Sequence, residues 1–304
     1  MLTCIVALLP ITIGALVTTL KAGMAFADWP TSDGQNMLLY PWLSDLRNTD
    51  KFVEHGHRLA GVLIGCVSIG MVVVAFMKEK TPWVRHGAAA ILFAVILQGL
   101  LGGMRVRMNE QVLAMTHSIT GGMFFTLCFL YALLMRPRKK EVQTSERITA
   151  SIFFLGVVLP GIILTQYVLG GFFRHLGTML HEHIAGAILV TLAATCVLWT
   201  VLRQSAVTLK RRGWLLAFAL VFQILLGLGS WVTKMGFPTL GWVASVNSPT
   251  QTVICSLHTV GGMFLLATSA GVAAELIHLA RLGSVPEVSA LFANNKQLAE
   301  GGLS

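Results

Sequence analysis

The stretch EHGHRLAGVLIGCVSIGMVVVAFM, residues 54–77, decides the fold. From Leu59 to Met77 it carries no charged side chain. A helix rises about 1.5 Å per residue, so roughly 20 apolar residues cross a bilayer core. The run therefore reads as a membrane span, opened on one side by Glu54, His55, His57 and Arg58. Working outward, seven more runs of that kind recur. The eight expected spans are 3–23, 55–77, 87–105, 114–135, 149–170, 181–202, 213–233 and 254–280. The first run lacks a basic leading segment and a small-residue cleavage site, so it is read as a span, not a cleaved leader. Bulk composition agrees. Of 304 residues, 55% are hydrophobic and 12% charged, against about 25% charged in a soluble domain. A mean hydropathy of +0.75 leaves no room for a large soluble domain.

Lysine and arginine set the orientation. The two chain ends and the loops after even-numbered spans hold 14 of the 22 basic residues, including Arg136, Arg138, Lys139, Lys140, Lys210, Arg211 and Arg212. The positive-inside rule then places both termini in the cytoplasm of a multi-pass cell (inner) membrane protein. The net charge of +9 reflects these anchors, so no nucleic-acid partner is expected. Cys4, Cys66, Cys128, Cys196 and Cys255 fall in or beside spans and form no CxxC pair. They read as small packing residues.

The chain divides at its most basic connector, near 136–148. Four spans lie on each side, so both halves enter the membrane in the same sense. The expectation is all-α, two parallel pseudo-symmetric four-helix bundles: residues 1–140 and 141–282, with 283–304 as a cytoplasmic tail. Local similarity supports the duplication. Gln98-Gly-Leu-Leu-Gly-Gly, Gln166-Tyr-Val-Leu-Gly-Gly and Gln223-Ile-Leu-Leu-Gly-Leu-Gly end odd-numbered spans. His117-Ser-Ile-Thr-Gly-Gly-Met-Phe and His258-Thr-Val-Gly-Gly-Met-Phe open even-numbered ones. Glycines there serve close helix packing or the approach of a flat ligand. Two sizeable loops, about 24–53 and 234–253, face the outer side. The first is expected to form a short interfacial helix or a cover.

His57, His117, His183 and His258 each lie near the start of an even-numbered span, so topology alone sets them at one depth. Ionisable groups within a bilayer are costly and usually functional. Neutral imidazole ligates haem iron. The economical arrangement is two pairs, His57 with His117 and His183 with His258, each clamping one porphyrin. His181 is an alternative to His183. His55 flanks His57 by two residues and so points to a different face; His86 and His278, toward the cytoplasmic side, and His175, in an outer loop, read as interfacial. Glu54 shares a helix face with His57, as a proton relay, a stabiliser of positive charge, or simply an acid at a helix start. Arg58, Arg105, Arg107, Arg174 and Lys234 lie on the histidine side, where haem propionates need cations.

These residues carry a resemblance. Glu54-x-x-His57-Arg58, the Gln98-Gly-x-Leu-Gly-Gly ending, His117, His183, His258, and Asp28-Trp29-Pro30 followed by Gly34-Gln35 resemble the haem A synthase family, the bacterial CtaA proteins and their mitochondrial counterparts. The likeness covers about residues 1–280. It implies an oxidoreductase that converts the C8 methyl group of haem O to the formyl group of haem A for haem-copper oxidases. It implies haem b on His183 and His258, substrate haem between His57 and His117, and Glu54 as the catalytic residue near the reacting methyl group, serving as a base, a stabiliser of positive charge or a proton relay. Implied partners are haem O synthase (protohaem farnesyltransferase), haem-copper oxidase assembly proteins, membrane lipid and a second copy of the chain; the electron acceptor is unidentified. The sequence departs from many bacterial relatives in having no cysteine pair in the first outer loop. The second half also has Leu180-His181-Glu182-His183-Ile184 where the first has EHGHR. A haem b electron-transfer protein linked to quinol shares the histidines without requiring Glu54. A transporter of parallel repeats would instead place polar residues at mid-membrane.

Overall fold

The computed structural model describes residues 1–136, 148–283 and 288. The connector at 137–147 and nearly all of the tail expected at 283–304 lie outside the described residues. Eight helices follow in order: α1 (Leu2–Thr19), α2 (Thr49–Lys78), α3 (Pro82–Met108), α4 (Gln111–Leu134), α5 (Ala150–Leu176), α6 (Leu180–Val201), α7 (Val207–Met235) and α8 (Pro249–Arg281). All eight are long and apolar enough to cross a membrane. The protein is an all-α integral membrane protein.

Each boundary has a local cause. Asn48 caps α2 by accepting from the Lys51 amide at 3.3 Å, and Ser248 caps α8 through the Gln251 amide at 3.1 Å. Pro82 and Pro249 open their helices, where a missing N–H removes no helical bond. α1 stops short of the expected residue 23, because Lys21 turns left-handed at φ 58°. α2 starts at Thr49, not 55, and α7 at Val207, not 213. Hydropathy marks only the apolar part of a helix, and both helices run on through polar turns.

Within the first four helices, α1 packs on α2, α2 on α3, α3 on α4, and α4 returns to α1. Among the last four, α5 packs on α6, α6 on α7, α7 on α8, and α8 returns to α5. α8 also meets α4 and α1, and is buried over most of its length. Its Gly261, Gly262, Ala267, Ser269, Ala270, Gly271 and Ala273 allow that close approach. Met263 and Ala267 of α8 belong to the same apolar cluster as Ile64, Ile91, Phe124 and Phe125 of the first half. Tyr167 of α5 lies between two glycines of neighbouring helices. A Cβ on Gly122 would meet its ring at 3.2 Å, and one on Gly262 at 3.1 Å.

Arg212, counted above among the cytoplasmic loop cations, is instead buried inside α7. It pairs with Glu275 of α8 at 3.0 Å and donates to the Gly271 carbonyl at 2.7 Å. All five cysteines are free. The first outer segment carries a 3₁₀ turn, Trp42–Arg47, and the second a shorter one, Pro238–Leu240.

Candidate functional site

The even-numbered helices bring four histidines into two facing pairs. The ring centres of His57 and His117 lie 6.1 Å apart at 86°. Those of His183 and His258 lie 6.3 Å apart at 80°. These residues occupy the first three turns of α2, α4, α6 and α8, somewhat deeper than a first turn for His57 and His258. It is His183, not the exposed His181, that stands opposite His258.

Each ring sets its Cε1 edge against a glycine on the preceding odd-numbered helix. A Cβ on Gly14, Gly102, Gly170 or Gly227 would come within 2.8, 3.2, 2.9 or 3.1 Å of the Cε1 of His57, His117, His183 or His258. One turn earlier on those helices stand Pro10, Gln98, Gln166 and Gln223. The His57 Nδ1 lies 2.9 Å from the Pro10 carbonyl. A carbonyl only accepts, so the proton sits on Nδ1 and the Nε2 lone pair is left for a ligand. The carbonyls of Gln98, Gln166 and Gln223 stand beside the other three imidazoles in the same manner. At His117 and His258 full hydrogen-bond geometry is not reached, and Nδ1 is buried without a partner.

Such a pair fits one kind of occupant. Two imidazoles on one metal ion at about 2.0–2.1 Å per bond, with nitrogen roughly 1.1 Å from each ring centre, set the centres about 6.3 Å apart. Among the described residues no three His, Cys, Asp or Glu side chains gather to hold an ion. Each pair could therefore hold a metal that brings further ligands of its own, as haem iron does.

The first outer loop packs on Glu54, His55 and Arg58 of α2 and on Gly103 and Arg105 of α3, next to the His57–His117 pair. Glu54 Oε2 accepts from the amides of Ala25 at 2.7 Å and Phe26 at 3.3 Å. Arg58 Nη2 donates to Oε1 at 2.8 Å, and its Nη1 donates to the carbonyls of Asp28 and Thr31 at 3.0 and 2.7 Å. Both Glu54 and Arg58 side chains are nearly sealed from solvent, at 4% and 7% exposure. Asp28 closes the turn by accepting from the Asp33 and Gly34 amides at 3.0 and 2.8 Å. Burial would raise its carboxyl, but bonds from Thr31 and those amides outweigh burial and hold it below the usual carboxylate range. Tyr40 is shifted well above its ordinary value by burial and by the Asp45 carboxylate, to which it donates at 2.7 Å. Trp29 rests on Gly103, and Arg105 donates to the Gly23 carbonyl. The loop is therefore the expected cover.

Several expectations need correction. His55, on a different face from His57, is fully buried, packed by Phe26 and Tyr40 at 5.8 and 4.9 Å, with Ser32 Oγ 3.2 Å from its Nδ1. Its role is to seat the loop. His175 lies in the last turn of α5, not in a loop, and its Nε2 is buried without a partner. His86 is exposed and His278 half-buried. Of the five cations, Arg58 is taken by Glu54 and the loop. Arg105 is taken by Gly23, and Arg174 by Ala15, Thr19 and Cys255. Arg107 is exposed, and Lys234 sits 5.1 Å over the Phe173 ring. The glycine contacts and Pro10 were missed. Their signal was the four-residue interval in Pro10/Gly14, Gln98/Gly102, Gln166/Gly170 and Gln223/Gly227.

Fold and site define an eight-helix membrane protein with two bis-histidine sites at one end. Comparison with known proteins takes this further. Residues 1–182 match the COX15-CtaA family, described as cytochrome oxidase assembly proteins, and the chain belongs to that family. It is 29% identical to the haem A synthase of Symbiobacterium thermophilum over 187 residues, 57% of this chain and 56% of that protein. It is 31% identical to the haem A synthase of Paracoccus denitrificans over 127 residues, 40% and 33% of the two chains. Against that of Jannaschia sp. it is 28% identical over 143 residues, 44% and 37%. The chain thus spans about half or less of the length of these relatives.

Proposed function

We propose that this protein is a haem A synthase, which oxidises the C8 methyl group of haem O to the formyl group of haem A. The change removes two hydrogens and adds one oxygen at a single carbon, a four-electron oxidation. The observation that carries the reading is the facing His57–His117 pair next to a loop held by Glu54 and Arg58, in a chain of this family. In this reading His57 and His117 hold the iron of the substrate haem. The substrate would then lie beside the helix that carries Glu54, three residues before His57. Glu54 then serves the reacting edge by its negative charge or as a proton acceptor.

The second pair, His183 and His258, would hold haem b. Bound there, haem b supplies a one-electron redox centre beside the substrate site. The N-terminal half is then the reaction half and the C-terminal half the cofactor half. The protein would sit in the inner membrane with both termini in the cytoplasm. It would receive haem O from the farnesyltransferase that makes it, and pass haem A to oxidase assembly proteins.

The test is co-expression with a source of haem O, followed by extraction of pigments. Haem A is expected. Glu54→Ala should keep the low-spin b-type spectrum and lose conversion, whereas His183→Ala or His258→Ala should lose that spectrum. Bound haem without haem A or a hydroxylated intermediate would overturn the synthase reading and favour electron transfer.

A further inference from the structure

The two histidines of the N-terminal pair are not held alike. The Gln98 side-chain amide donates to the main-chain carbonyl of His117 at 3.0 Å, while Thr120 Oγ donates to its oxygen at 2.6 Å. The Gln166 amide donates to the His183 carbonyl at 2.8 Å and lies 3.0 Å from that ring's Nδ1. Each of these amides thus ties the turn that carries a ligand histidine to the neighbouring helix. Gln223 occupies the same place on α7, packed against Gly261. A glycine faces the amide in all three cases, Gly121, Gly186 and Gly261.

α1 has no such amide. Pro10 stands one turn before Gly14, where the other helices carry glutamine one turn before glycine. The glycine one turn after His57, Gly61, accordingly has nothing within 4 Å of where its Cβ would be. His57 is held by one bond from its ring to the Pro10 carbonyl. As a proline inside a helix, Pro10 also leaves the preceding turn short of one hydrogen bond and easier to bend.

We infer that Gln98 and Gln166 are positioning residues for the ligand histidines, and that Pro10 makes His57 the exchangeable ligand, the one that lets go when haem enters or leaves. The inference rests on the haem reading above and deepens it. A site that turns over its haem needs one ligand that yields. The side-chain amides are distributed accordingly between His57 and His117. On the resident side, His183 has a bonded amide and His258 a packed one.

The experiment uses full-length protein in lipid nanodiscs, loaded with ferric protohaem as the probe and mixed with excess apomyoglobin. The His258→Ala background reports the N-terminal pair, and the His117→Ala background the C-terminal pair. Release from the N-terminal pair should be roughly fivefold faster in Gln98→Met and roughly fivefold slower in Pro10→Gln, as one hydrogen bond lost or gained implies. Gln166→Met should speed release from the C-terminal pair by a similar factor and raise its high-spin fraction. Pro10→Ala separates the amide from the proline. If Pro10→Gln and Pro10→Ala both release haem at the parental rate, or if both glutamine variants keep the parental rate and spin state, the inference is wrong. If the parent protein takes up no protohaem at either pair, the haem reading itself fails and takes this inference with it.

Discussion

At Glu54 both carboxylate oxygens are occupied, one by Arg58 and the other by two main-chain amides of the outer loop. The side chain therefore does two jobs that a substitution can separate. Removing one member of a buried ion pair leaves the other uncompensated, typically at about 3–5 kcal/mol. The loop can relax and rehydrate Arg58, so a smaller effect, about 2–3 kcal/mol, is expected on loop closure alone. Glu54→Gln should then raise the rate of thiol labelling at a cysteine placed at Ser32, which is fully buried in the closed loop, by roughly two orders of magnitude. Arg58→Leu should do nearly the same. Should Glu54→Gln abolish conversion while labelling stays slow, the carboxylate acts on the substrate directly and its hold on the loop is incidental. The Glu54–Arg58 pairing has a four-residue helical spacing, yet from sequence Glu54 is paired with His57 and Arg58 is kept for a propionate. The loop partners of Glu54 were not legible, because the amides of Ala25 and Phe26 are backbone groups that leave no mark on residue identity.

Among the elements, the helices were legible because each is a long apolar run, and their polar end turns were missed for the same reason. What a hydropathy pattern does not contain is which glycine touches what. In α8, a Cβ on Gly262 would stand 3.1 Å from the Tyr167 ring and 3.4 Å from Gln223. In α2, Gly70 is exposed, with nothing within 4 Å. The two look alike in sequence and should respond oppositely to the same change. Gly262→Leu forces α5 from α8 and should destabilise the protein by about 1–3 kcal/mol, the usual range for overpacking. Gly70→Leu meets no neighbour and replaces a poor helix former, so it should be neutral or stabilising by up to about 1 kcal/mol. Unfolding midpoints in detergent decide this. Equal losses at both positions would mean that the α5–α8 contact is looser than described. The histidine pairing shows the same boundary of legibility. Four histidines at matched helix starts were readable, and Gly186 three residues after His183, like Gly261 after His258, already favoured it over His181; the rotation of α6 against α8 sets it opposite His258.

Across the whole molecule, the halves are joined where Arg174 of α5 reaches out of its own bundle. It donates to the Ala15 carbonyl at 2.7 Å and to Thr19 Oγ at 2.8 Å on α1, and to the Cys255 carbonyl at 3.4 Å on α8. Ser256 of α8 bonds the same Thr19 at 2.9 Å. All these acceptors are neutral, so the guanidinium charge remains as a fixed positive field within electrostatic range of His258. If haem b sits between His183 and His258, that field opposes the extra positive charge of the ferric state and raises the midpoint potential. Removing it should lower the potential. The effect should be roughly 30–60 mV, given about 59 mV per tenfold shift of a one-electron equilibrium and some screening at a half-exposed site. Arg174→Leu loses both the charge and the bridge to α1, so it should lower both the potential and the unfolding temperature. Arg174→Lys keeps the charge but not the forked bonds. Its potential should stay near that of the parent while its unfolding temperature falls. A potential that drops equally in both variants would show that Arg174 acts by holding the halves in place rather than by its charge. Redox titration of the b-type absorbance, beside a thermal melt of the same samples, separates the two.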